Sequence, residues 1–202
     1  MTVSWTKHRF SGGLLALDTA NTVVLRGDAN SFDRFEDANE IARFAEAASG
    51  FRSTELGGRG LVFHASGAAA AQVVALREAA DGLFREAAST GAMQTALLPG
   101  FLRTSAACLD DSAERVGAEG RPFGDPSRPM RFEVALAVSA LSLLSDDAWK
   151  KVRVCQNCRW LFLDRSRNAS RLWCDMSVCG NRSKAKRHYE RRKVAGKEAV
   201  DA

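Results

Sequence analysis

Cys155, Cys158, Cys174 and Cys179 form a C-x2-C-x15-C-x4-C spacing, and this limits what the chain can fold into more than any other feature. Two close pairs separated by fifteen residues suit one tetrahedral zinc ion. Each short loop turns two thiolates toward the ion while the intervening chain forms a hairpin. Four thiolates fill the coordination shell and leave no position for an activated water, so the spacing predicts one structural Zn2+ and not a hydrolytic one. The sequence opens with no basic and apolar leader, and its most apolar uncharged run, Val134 to Leu144, is too short to span a bilayer. These features predict a cytoplasmic protein with no membrane partner, where a reducing environment favours metal binding over disulfides. The fifth cysteine, Cys108, stands alone in "TSAACL" and reads as a small apolar residue on a buried helix face.

The cysteine segment also holds the positive charge. From Arg153 to Lys193 there are twelve Lys/Arg against three Asp/Glu, a local +9. The whole chain carries 29 against 24, or +5, so the remainder is −4. Like charges at this density repel one another, which points to an anionic partner such as nucleic acid, placing the protein at the nucleoid. Residues 181–193, "NRSKAKRHYERRK", have helix-compatible composition; Lys184, Arg187, His188 and Arg191 share one face, with Arg182, Lys186 and Tyr189 round from it. The turn "DRSRNAS" and its flank add Arg165, Arg167 and Arg171. These basic residues, with Asn181, are the candidate nucleic-acid contacts: phosphate contacts supply affinity, and Arg or Asn to base edges supplies preference. Gly180 fits a tight turn after Cys179, and Asn181 fits the cap of the helix that follows.

Between the cysteine pairs, "RWLFLD" and "SRLWC" have strand-like content around the polar turn. Trp160, Phe162 and Trp173 read as packing around the metal, because so small a module with so much charge has little apolar mass and zinc must supply its fold. His188, far along a charged helix, reads as an exposed surface histidine. Knuckle, hairpin and helix in this order resemble a treble-clef-like zinc finger.

The preceding residues predict helices. "GLLALDTANTVVL" (13–25) places Leu14, Leu17, Val24 and Leu25 on one stripe with Asp18 and Asn21 inside it, candidates either for a ligand or for a satisfied buried hydrogen-bond pair. A helix is expected over Phe35–Ala48, and a turn with a short strand at "GGRGLVFHASG". In "AQVVALREAADGLFREAA", Val73, Leu76, Ala80, Leu83, Phe84 and Ala87 form the core stripe, with Arg77, Asp81 and Arg85 on the other side. A further helix over Phe101–Leu109 follows a break at Pro99-Gly100; residues 110–129 read as a loop. "RFEVALAVSALSLL", apolar nearly all round, is the expected buried central helix, and "SDDAWKK" the junction to the finger. His8 and His64 show no visible partner, and no nucleophile–base pair can be identified, so the chain reads as a non-enzyme.

The run C-x2-C, F-x-D-x-S-R-N-x-S-R-x-W-C-x-M-x2-C-G-N-R-x-K resembles the CGNR zinc finger of bacterial proteins, and "LLALDTANT" (14–22) is similar to the opening of the ABATE domain that accompanies it, with Thr19 where an aromatic residue is expected. The resemblance implies a stress-responsive transcription regulator whose N-terminal domain senses an effector, and it matches Cys155, Cys158, Cys174 and Cys179 to the ligands. The expected architecture is mainly α: a helical, ABATE-like sensor domain at 1–148, a treble-clef-like zinc finger at 149–195 and a tail at 196–202. A single finger gives a small footprint on DNA, so dimerisation through the helical domain is expected. The alternatives are a zinc-stapled RNA-binding module, and an enzyme whose site lies in the helical domain.

Overall fold

The computed structural model describes residues 3–110, 123 and 125–198, so most of the expected loop at 110–129 lies outside the described residues. The central element is α5 (Phe132–Ser142), whose Phe132, Val134, Ala135, Leu136 and Ala137 are fully buried. An apolar sequence all round is stable only with neighbours on every side, and α5 has them in α1 (Leu15–Ala20), α3 (Gly67–Thr90) and α4 (Leu98–Leu109). Trp5, Phe10, Phe35, Phe44 and Phe132 form a cluster of ring contacts that closes the core against α2 (Ala38–Phe51).

Capping fixes several helix starts. The Asp37 side chain accepts from the N–H groups of Asn39 and Glu40 at the start of α2, and Ser66 accepts from Ala69 N at the start of α3. Gly91, at φ 74°, ends α3 in the left-handed conformation that a glycine adopts without strain. Pro99 and Gly100 belong to the first turn of α4 instead of breaking the chain before it, since a proline there has no intrahelical N–H bond to lose.

Two expectations are corrected. The helix predicted over 13–25 stops at Ala20. Its first N–H groups are satisfied by distant side chains: Leu15 N donates to Glu55 Oε2 (2.8 Å) and Ala16 N to Ser139 Oγ (3.0 Å), while Ser139 Oγ donates to Glu55 Oε1 (2.6 Å). After Thr22 the chain enters a two-stranded ribbon, β1 (Val23–Val24) paired antiparallel with β2 (Phe32–Asp33). That ribbon explains the second difference. The apolar stripe of α3 is buried as expected, but so are Arg77 and Asp81, at 3% exposure each. Arg77 forks onto Asp33 (2.8 and 2.7 Å) and reaches Thr22 Oγ1, while Asp81 holds Arg85 and Arg26. The charges predicted to face water serve instead to anchor the ribbon.

The glycine-rich stretch supplies the expected short strand, β3 (Leu61–Val62), which pairs in parallel with β4 (Met130–Arg131) directly before α5. The junction "SDDAWKK" is a 3-10 helix, Ser145–Lys151, that leads into β5 (Val152–Val154) and its antiparallel partner β6 (Leu161–Leu163). No helix among the described residues is long and apolar enough to cross a membrane.

Candidate metal centre and basic helix

The hairpin lies at the first cysteine pair, not between the two pairs as the spacing suggested. β5 and β6 flank Cys155 and Cys158, and Cys155 N donates to Trp160 O (2.8 Å) across the turn. Alternation along the strands gives the hairpin two faces. Val152, Val154, Leu161 and Leu163 pack on the helical core, whereas Phe162 turns to the cysteines with Trp160 and Trp173. Sequence composition placed the burden of folding this segment on zinc; the structure divides it between zinc and the helical body.

The second pair is brought in by a single wide helical turn, Met176–Gly180. Asp175 caps that turn, its Oδ1 accepting from Ser177 N (2.8 Å) and Val178 N (3.3 Å). α6 (Asn181–Glu198) continues directly from it. Asn181 therefore does not cap α6; it has helical backbone angles and its Nδ2 donates back to Ser177 O (2.9 Å). At Gly180 the Met176 thioether packs close over the backbone: a Cβ there would lie 3.1 Å from Met176 Sδ and 3.2 Å from its Cε, so that side chain would have to shift.

The four sulfurs of Cys155, Cys158, Cys174 and Cys179 all lie within 4.8 Å of one another. Cys158 and Cys174 are 3.7 Å apart and Cys174 and Cys179 3.8 Å. A tetrahedral zinc with bonds of about 2.3 Å requires sulfur separations of roughly 3.8 Å, so the set fits one ion with a closed shell. The site is that of one structural zinc. Hydrogen bonds from the Cys158 and Cys174 thiols draw Cys155 well below the ordinary thiol range; these contacts push Cys158 up, and contact with Cys155 pushes Cys174 up to about 12. The Cys155 thiolate forms readily while those of Cys158 and Cys174 are resisted by their neighbours, a conflict that a dication at the centre removes.

Several charged and polar candidates have structural partners. Arg171 is turned inward: its guanidinium lies over the Phe162 ring and donates to the carbonyls of Trp173 (3.2 Å) and Cys174 (2.7 Å). It ties the second knuckle to the first through these contacts. Asp164 is buried; it accepts from Ser166 N and Arg171 N (2.9 and 2.8 Å) and shapes the turn between the pairs. Arg165 is exposed and reaches Gly13 O (3.2 Å), and Arg167 is exposed. On α6, Arg182, Lys184, Lys186, Arg187 and Arg191 are exposed, as is His188; Lys186 pairs loosely with Glu190 at 4.0 Å.

Asp18 and Asn21 do not bond to each other; each side chain bonds to other parts of the protein. Asp18 accepts from Gly12 N (2.8 Å) and from Arg52 Nε. Asn21 Nδ2 donates to Leu161 O (2.8 Å) and its Oδ1 accepts from Leu161 N (2.8 Å), so this one amide pairs with β6 as a neighbouring strand would. Leu163 N donates to Gly12 O (2.7 Å) on the same edge. Gly13, at φ 92°, lets the backbone approach, since a Cβ would lie 3.2 Å from Leu163 Cβ. A recess of about 270 Å³ lies elsewhere, between the end of α3 and β5, lined by Gly91, Trp149, Lys150 and Arg153 among others.

Sequence reasoning missed His8. Its ring stacks on Trp160 at 5.4 Å, and its Nδ1 lies 3.4 Å from Asp175 Oδ2, so the amino-terminal segment touches both cysteine knuckles. An aromatic-rich opening, "SWTKHRF", is the only local trace of this contact.

No curated protein and no solved structure matches the chain. Residues 151–192 match the family model of the CGNR zinc finger, the family that the cysteine spacing and Gly180-Asn181-Arg182 resemble.

Proposed function

We propose that the protein is a zinc-dependent DNA-binding transcription regulator, with α6 as its contact helix. The observation that carries this reading is the character of α6. Over residues 181–192 no side chain is buried, and Arg182, Lys184, Lys186, Arg187, Arg191 and Arg192 stand against Glu190 alone. A helix with no apolar face is not held by core packing. Here it is held at its start by the wide turn that carries Cys179, so zinc fixes the direction in which the charges project. Response to stress or to an effector rests on the resemblance of Leu14–Thr22 to the sensor domain.

Each phosphate contact releases condensed counterions, so affinity falls steeply with salt. Replacing Arg187 and Arg191 together is expected to make the log–log salt slope shallower by about two units on duplex DNA. Binding to random DNA and RNA pools, with and without chelator, measures the class of partner. Equal or stronger selection of single-stranded RNA replaces the DNA reading with an RNA-binding one, for which Tyr189, 69% exposed on α6, is a ready stacking surface. Salt-insensitive behaviour toward both pools overturns the regulator reading.

A further inference from the structure

A second cationic site lies outside the cysteine segment. Arg34 follows β2 and is half-buried, with its guanidinium 5.5 Å from the Trp160 ring centre and 5.6 Å from that of Phe32. Among the described residues the guanidinium makes one hydrogen bond, a long contact from Nη1 to Asn21 O (3.5 Å), and no carboxylate pairs with it. The adjacent acids are engaged: Asp33 by Arg77, and Glu40 by Arg43 and the Val3 N–H. Burial draws Arg34 down to about 10, and the charge of a second cation, Arg9, adds to the fall. Arg9 lies over Trp5 at 5.7 Å and has no ion pair among the described residues. Lys7, on the same 3-10 turn (Lys7–Phe10), is exposed.

Arg34 and Arg9 each lie on an aromatic ring with no carboxylate in an ion pair among the described residues; the charge of Glu40 reaches Arg9 but not Arg34, and an anion would relieve the repulsion between the two cations. Packing a guanidinium on a ring fixes its plane and strips part of its hydration, which leaves its remaining N–H donors ready for a bidentate acceptor such as phosphate. The site borders the metal centre: Trp160 carries Arg34 and stacks on His8, and His8 meets Asp175, which caps the turn into α6. Phe32, 52% exposed, offers an apolar ring edge at the same place.

We infer that Arg34 and Arg9 form a second phosphate-binding site for the nucleic acid that α6 engages, so that the helical body contributes directly to the nucleic-acid interface. The inference rests on the regulator reading above. The test uses the full-length zinc-loaded protein and a duplex of about 30 base pairs across a salt series. The Arg9→Gln/Arg34→Gln double variant is expected to bind more weakly, with a log–log salt slope shallower by about two units, while Arg34→Lys retains the wild-type slope because the charge remains. Zinc content and thermal melts accompany each variant, since removing Arg34 uncovers Trp160. If the double variant does not fold, Arg9→Gln alone, whose side chain only covers Trp5, is expected to lose about one unit of slope. A lowered melting temperature with unchanged slope overturns this site, leaving Arg34 as a cover for Trp160 and the α6 reading intact. Failure of the wild type to bind any nucleic acid overturns the function reading and this site together.

Discussion

The Asn21 amide occupies the outward N–H and C=O of Leu161, and both partners are buried at the seam between helical body and hairpin. Asn21→Ala orphans a buried donor and a buried acceptor, so unfolding by denaturant is expected to show a loss of about 1–3 kcal/mol. Asp18 gives a pH signature. Burial pushes it up to about 7 against the pull of Arg52 and the Gly12 N–H. An acid that holds its proton more tightly when folded contributes stability that is fully present below its unfolded value, near 4, and lost as pH rises toward 7. Melts across this window are expected to show stability falling with pH by at most about 1.4 kcal/mol per pH unit from this group. Asp18→Asn removes that slope. The sequence showed both residues to be polar positions within an apolar stripe; it could not show that their partners are Leu161, Gly12 and Arg52, which are fixed by how the hairpin docks.

At the scale of elements, the strongly periodic segments were legible and the boundaries set by distant side chains were not. α3 and α5 were readable because their apolar positions repeat at the helical period or fill every side. α1 was overextended because its end is decided by the ribbon β1–β2 and its start by Glu55 and Ser139. The metal site was the most legible element of all, since ligand spacing is local chemistry. The placement of its hairpin was not, because β5 lies before Cys155, where "VRV" carries no signal stronger than its neighbours. The wide turn Met176–Gly180 that starts α6 depends on the Asp175 cap. The basic composition of α6 was plain in the sequence, while the turning inward of Arg171 was not.

Across the whole molecule, the hairpin is shared property. Val152 and Leu161 are fully buried in the helical core, and Phe162 on the opposite face is buried with the cysteines. The purified protein is expected to contain one zinc per chain, and Cys174→Ser to release it. Because the strands are common to both clusters, that variant is also expected to lower the melting temperature of the helical body, followed by helical circular dichroism. An unchanged helical melt after zinc loss would show that the two clusters fold independently. By itself the sequence determined the ligand set, the charge asymmetry and the buried central helix, because each depends on residue type and short-range spacing. Only the tertiary structure decided which charges are free, since Arg77, Asp81, Arg171 and Arg34 are all charged in the sequence and differ only in what the fold brings beside them.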